Sequence, residues 1–239
     1  MFLNRYLYLL LIISFAACNT HTDTVPEVRT PDQKIAANIA ELKSTAANGD
    51  LVVRLTDDLI SERIRYLNEA DFSYSHSGLI IEQNGVKYVC HIETDDHYAD
   101  TIQMVAIDSF LNPAKNISCA LYRYNLSAPE KDSLQAIIET YRKNDVRFDR
   151  VFDLATNDKM YCSEMIARAL QGATNNRIVC REVNVPPRMR KAVASFFKKQ
   201  KMTPETVASR KIITVDNLYR RNDCSLIMKF PLKYFPDQL

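Results

Sequence analysis

Cys162 opens the run Cys162-Ser163-Glu164-Met165-Ile166, in which Met165, Ile166, Ala169 and Leu170 recur at helical spacing. Its offsets of three and four from Met165 and Ile166 put the sulfur on the inward face of the predicted helix, within the first turn. Unpaired amides and the helix dipole favour an anion there, so the thiol pKa is expected to fall and the thiolate to become a usable nucleophile. The same amides are suited to stabilise an oxyanion. A nucleophilic thiol also needs a base, and the base needs a partner that fixes its tautomer. His76 and His91 flank Asn84-Gly85, a strong hairpin signal, with a two-residue offset from direct opposition. A regular register makes them diagonal neighbours on one sheet face, one imidazole to face the thiol and the other to orient it. Taken singly, a strand histidine and a cysteine at a helix start are also ordinary packing residues, and the spacing alone does not decide between these readings.

These side chains must be held by a folded body. The pattern predicts a helix from the Thr30 cap to Asn48-Gly49, a strand over Leu51 to Leu55 and a helix over Ile60 to Leu67. The hairpin strands His76 to Gln83 and Val86 to Ile92 follow, then strands at Gln103 to Ile107 and Ile117 to Tyr124 and a helix from Ala128 to Arg142. Helices over Cys162 to Leu170, Pro187 to Lys199 and Val215 to Tyr219 precede a last strand near Ser225 to Phe230. The layout is α+β, a mostly antiparallel sheet packed by helices on one side. With 31 Lys and Arg against 29 Asp and Glu the net charge is +2, which gives no electrostatic reason to expect nucleic acid as a partner.

The first 17 residues read differently. One positive charge, at Arg5, and a short apolar run from Tyr6 to Ala17 make a secretion signal too short to span a membrane as a helix. Phe15-Ala16-Ala17-Cys18 resembles a bacterial lipobox, which implies cleavage before Cys18, lipid attachment to it and an exported, membrane-anchored protein, periplasmic or at the cell surface. Residues 18–29 then form a polar tether, and 30–239 the folded domain. Five cysteines remain after Cys18, an odd number, so at least one thiol stays unpaired in a monomer. No CxxC or other zinc-type spacing is present, and neither a metal nor another cofactor is expected.

Gly49-Asp50-Leu51-Val52-Val53, Ser75-His76-Ser77-Gly78-Leu79-Ile80, Tyr88-Val89-Cys90-His91 and Tyr161-Cys162-Ser163-Glu164-Met165 together resemble the permuted papain-like cysteine hydrolases of the YiiX and YebB type, relatives of the NlpC-type peptidases and amidases. The segments from Phe148 to Asp153 and from Ile213 to Tyr219 extend the likeness, which runs from about Gly49 to Phe230. The resemblance implies a circularly permuted papain-like fold in which the strand histidine precedes the cysteine. It makes Cys162 the nucleophile, His76 the general base and then acid, and His91 the third member. Many relatives carry Glu there, and Glu93, on the same strand face, is the alternative.

The implied reaction is hydrolysis of an amide through a thioester, in cell-wall peptides or N-acyl compounds. Two other classes remain open, a lipid acyltransferase or phospholipase of the related permuted lecithin-retinol type and a non-catalytic binding module. Tyr161 is a candidate for the substrate pocket or for packing at the helix start. Glu164 is expected to face away from Cys162 and favour the helix N-terminus, while Asp50, Asp149 and Asp153 are read as turn, cap or ion-pair residues. A basic cluster of Arg188, Arg190, Lys191, Lys198, Lys199 and Lys201 is read as a solvated face, with an anionic surface as the alternative. Oligomeric state is left open.

Overall fold

Six strands form the central sheet of the computed structural model, which describes residues 29–94, 100–196 and 203–234. In chain order the elements begin with α1 (Pro31–Thr45), β1 (Leu51–Thr56), α2 (Leu59–Ile64), β2 (His76–Gln83), β3 (Val86–Ile92) and β4 (Ile102–Ala106). Next come α3 (Ile107–Phe110), β5 (Asn116–Tyr124), α4 (Ala128–Lys143), β6 (Arg147–Phe148), β7 (Lys159–Met160) and α5 (Cys162–Ala173). The chain closes with β8 (Val183–Asn184), α6 (Arg190–Phe196), α7 (Pro204–Ser209), β9 (Lys211–Ile212), α8 (Val215–Tyr219) and β10 (Cys224–Pro231). The leader, Cys18 and the tether up to Val28 lie outside the described residues, as do Lys198, Lys199 and Lys201.

The sheet order is β10-β5-β1-β2-β3-β4, and every neighbouring pair is antiparallel. The hairpin forms with the expected limits, its register Gln83↔Val86 through Leu79↔Cys90, because Asn84 and Gly85 both take positive φ (53° and 76°) and give the turn the twist that adjacent strands need. Gly78 follows from close packing: a Cβ there would collide with Val89 Cγ1 and come within 3.1 Å of the Cys90 carbonyl oxygen. Substituting it would push β2 from β3 beside both histidines.

The expectation of helices on one side only is corrected. Leu51, Val53, Leu79, Ile81, Cys90 and Tyr122 pack against α4, α5 and α8, while Val52, Ile80, Val89, Cys119 and Leu121 pack against Ile35, Ile39 and Leu42 of α1 and Ile107 and Phe110 of α3. Both faces of β1 are therefore buried, which is why Leu51-Val52-Val53 is continuously apolar rather than alternating. A satellite cluster joins Leu67, Val185, Met189, Val193, Val207 and Ile212 beside the main core.

Buried polar groups tie the loops to this frame. Asp216, fully buried, accepts from the backbone amides of Glu69, Ala70 and Asp71 at 3.0–3.3 Å and from Thr214 Oγ1 at 2.6 Å. Asp50 receives Nε and Nη2 of Arg123 at 2.8 and 2.7 Å, and Asp149 accepts from the amides of Val151 and Asp153. Asp153 in turn pairs with Arg210. Asp50, Asp149 and Asp153 are structural, as the sequence suggested, and Asp216 joins them.

Candidate active site

β2 begins at His76, and β1 ends beside it, with Arg54 directly opposite His76 in the register. Alternation puts Arg54, His76 and His91 on the sheet face that carries Phe110. The two imidazoles meet at 3.0 Å, Nε2 of His76 to Nδ1 of His91, the diagonal relation expected from the hairpin. Glu93 lies just past β3, its Oε2 3.4 Å from His76 Nε2 and its Oε1 3.9 Å from His91 Nδ1. Both sequence candidates for the third position thus surround one nitrogen of His76. Its other nitrogen, Nδ1, has no hydrogen-bond partner among the described residues.

Arg54 is the residue that sequence reasoning missed. It is buried, ion-pairs with Glu93 at 2.7 Å, donates to the Phe110 carbonyl at 2.6 Å and lies 4.2 Å above the Phe110 ring. Its signal was a charged side chain inside the apolar run Leu51 to Leu55. Burial and the Arg54 charge hold the His76 imidazole well below its ordinary range. Burial, then the neighbouring His76, bring His91 down to about 3, with Glu93 opposing and Arg54 reinforcing the shift. Both rings are therefore neutral at pH 7.

Cys162 approaches from α5, on the other face of the sheet. It packs against the core cluster of that face and meets β2 at Ser77, the neighbour of His76. Among the described residues no hydrogen bond joins Cys162 to either histidine, so the resting arrangement is not a closed thiolate–imidazolium pair. The sulfur nevertheless senses the charges of Glu93 and Arg54, which puts thiol and histidine pair at the same end of the sheet. The expected fall in the thiol pKa is corrected: burial raises it. Ser77 and the backbone amide of Ser163 work in the opposite direction without prevailing, and Glu93 adds to the rise. Helix-terminal stabilisation acts here too, but desolvation is the larger effect.

The question of which thiol differs from the rest has a direct answer. All five described cysteines are free; Cys90, Cys119, Cys180 and Cys224 are buried, and Cys162 alone is partly exposed. Burial pushes Cys90 and Cys224 up to about 12 and Cys180 to about 11.

Tyr161 is 2% exposed; its hydroxyl accepts from the Ile213 amide at 2.7 Å and its ring meets Phe152 edge-on at 4.7 Å. Of the two readings of this side chain, pocket lining or packing at the helix start, these contacts match the packing one. Glu164 favours the helix N-terminus as expected, and does so from a buried position. It is fully buried, accepts from the Tyr161 amide at 3.3 Å and pairs with Arg168 at 2.8 Å, and burial pushes its carboxyl up to about 8. Arg188 and Arg190 are partly engaged, Arg188 with the Tyr66 and Asn68 carbonyls and the Phe72 ring, Arg190 with the Val185 carbonyl.

The family described as "Permuted papain-like amidase enzyme, YaeF/YiiX, C92 family" matches residues 45–220, well over half of the sequence. The chain belongs to the permuted papain-like amidases. Membership of this family of amidases makes a hydrolase-type function the general expectation for the site, and the permuted order, histidine strand before cysteine helix, is the one seen here. The fold of this permuted papain-like amidase is also that of a crystal structure of metalloprotein yiiX from Escherichia coli O157:H7. That chain is 16% identical, with a TM-score of 0.61, and the match covers 77% of this chain and 97% of that one. No curated protein matches the sequence. Among the described residues, no helix of this permuted papain-like amidase is long and apolar enough to cross a membrane.

Proposed function

We propose that the protein is a cysteine amidase that cleaves an amide bond through a thioester at Cys162, with His76 as general base and then acid. The observation that carries the reading is the pair of contacts on Nε2 of His76, His91 at 3.0 Å and Glu93 at 3.4 Å. They fix the ring and leave Nδ1 to take a proton from the thiol beside Ser77. His76 accepts that proton as the sulfur attacks the carbonyl, and the first-turn amides of α5 receive the developing oxyanion. The proton passes to the leaving amine as the C–N bond breaks. Water, deprotonated by His76, then hydrolyses the thioester and returns the thiol. Because the resting thiol is protonated, its proton moves in step with attack.

A metal-dependent reading is weaker. The similar structure is called a metalloprotein, and here His76, His91 and Glu93 offer three ligand atoms within 4.8 Å of one another. Their donor types suit zinc. The Arg54 guanidinium, however, stands 2.7 Å from the Glu93 carboxylate and repels a cation at that point, and the two imidazoles already satisfy each other.

The test is iodoacetamide labelling over a pH series, with each labelled cysteine located by mass spectrometry. Cys162 is expected to label first, and His76→Ala to slow it; labelling of Cys162 that is indifferent to His76 would remove the dyad. Export and lipid attachment at Cys18 belong to the same proposal and rest on the sequence of residues 1–18. Incorporation of labelled fatty acid that disappears in Cys18→Ser is the expected result, and incorporation that persists in that variant would exclude Cys18 as the anchor.

A further inference from the structure

Ser77 is a polar residue inside a buried strand whose next inward positions are Leu79 and Ile81. Alternation puts it on the sheet face covered by α5, opposite to the face of its neighbour His76. It is fully buried, and its hydroxyl has no hydrogen-bond partner other than the Cys162 sulfur. A buried hydroxyl without an oxygen or nitrogen partner is costly, so its presence beside the nucleophile calls for a reason.

The backbone of Ser77 is directed to the same place. Ile80 donates to the Asp50 carbonyl on the β1 side of the strand. Amides alternate between the two edges of an antiparallel strand, so the Ser77 amide, three residues away, points to the β3 edge. The pairing of β2 with β3 ends at Leu79↔Cys90, two residues short of Ser77, and the freed amide reaches the Cys162 sulfur. A third donor, the Ser163 amide, comes from the first turn of α5. The Ser163 hydroxyl is committed to the Ile213 carbonyl at 2.7 Å, which leaves the Ser77 hydroxyl as the side-chain donor of this set.

The sulfur needs such donors. Burial and the Glu93 carboxylate oppose its negative charge, and the Arg54 guanidinium is already paired with Glu93 at 2.7 Å. His76, His91 and Tyr161 are neutral at pH 7 and add no compensating charge. We propose that Ser77 is a further catalytic residue, whose hydroxyl and amide donate to the Cys162 sulfur and stabilise its charge on attack and again on departure from the thioester. The inference rests on the cysteine-hydrolase reading and adds a group to its site. As the S–H bond breaks, with its proton passing to His76, the charge developing on sulfur is shared with the two Ser77 donors while the S–C bond forms. When water has added to the thioester and the S–C bond breaks, the electron pair returns to sulfur, the same donors receive it, and the proton held by His76 restores the thiol.

The experiment measures iodoacetamide alkylation of Cys162 against pH in the purified full chain, with the labelled residue located by mass spectrometry. Ser77→Ala, Ser77→Thr and Ser77→Val are compared with the unaltered protein, and circular dichroism reports the fold of each. A hydrogen bond to a charged group biases an equilibrium by about 10- to 100-fold. Ser77→Ala is therefore expected to raise the midpoint of the labelling curve by about one to two pH units. The rate at pH 7 should fall by less, about three- to tenfold, because a more basic thiolate is also a better nucleophile. Ser77→Thr keeps the hydroxyl and should stay near the unaltered curve, whereas Ser77→Val, the same shape without it, should follow Ser77→Ala. The Thr and Val pair decides the matter if Ser77→Ala does not fold. A curve unchanged in Ser77→Ala and Ser77→Val, with the fold intact, overturns the role of Ser77. A shift shared by Ser77→Thr and Ser77→Val assigns the effect to packing and overturns it as well. The readout is alkylation rather than turnover, so either result leaves the hydrolase reading to be decided by Cys162→Ala.

Discussion

Cys162→Ala is expected to lower kcat for amide hydrolysis by about 10⁴-fold or more. The size follows from the route: without the sulfur no thioester forms, and only binding and oxyanion stabilisation by the α5 amides remain to assist direct attack by water. The residue is partly exposed and its hydrogen bonds reach only Ser77 and the Ser163 amide, so the melting temperature should shift by no more than about 4 °C. Steady-state rates and thermal unfolding followed by circular dichroism measure both quantities on the same sample. A variant that melts normally and has lost its activity locates the chemistry at the sulfur. One that melts normally and still hydrolyses the substrate would sink the thioester route, because no other described thiol is exposed.

The positions of His76 and His91 were legible because three local signals agree. Asn84-Gly85 fixes the turn, the turn fixes the register, and a fixed register makes the two-residue offset a statement about space. The start of α5 was legible in the same way, from Met165, Ile166, Ala169 and Leu170 on one face. What the pattern left out depends on tertiary context. Arg54 becomes part of the site only by pairing with Glu93, 39 residues away, across two intervening strand pairings. The strands β6 to β9 are two residues each, too short for any period to register, and α7 was likewise not anticipated.

One expectation failed because it was judged from the helix terminus alone: the thiol pKa, at a turn whose neighbours Ser163, Glu164, Met165 and Ile166 are all buried. Burial reverses the sign for Cys162 and raises Glu164 to about 8, effects that depend on the surrounding elements rather than on the helix itself. Helix coverage of only one sheet face was a similar error, and β1 held the evidence against it, since five consecutive buried positions need a layer on each side.

His76→Ala is expected to lower kcat by about 10²- to 10⁴-fold, and the pH profile of the unaltered protein identifies the titrating group. His76 is held below its ordinary pKa, so the neutral base persists at pH 7, and the acid limb of kcat/KM should fall well below pH 6.5. The thiol is raised above its ordinary value of 9.0, so the alkaline limb should lie above it. Arg54→Gln removes the positive charge that depresses His76 and leaves the Glu93 carboxylate, 3.4 Å away, without its partner. Both changes favour the imidazolium, so the acid limb should move to higher pH. Stability must be followed in parallel. Unfolded histidines bind a proton near pH 6.5, whereas folded His91 does so only near 3, so between those values the unfolded state holds more protons and stability falls as the pH falls. The limb is therefore read only where circular dichroism reports an intact fold. An acid limb that stays in place in Arg54→Gln, with the fold intact, would show that His76 is not the group whose protonation stops the reaction. A shift to higher pH would tie the rate to the imidazole pair whose protonation the Arg54 charge opposes.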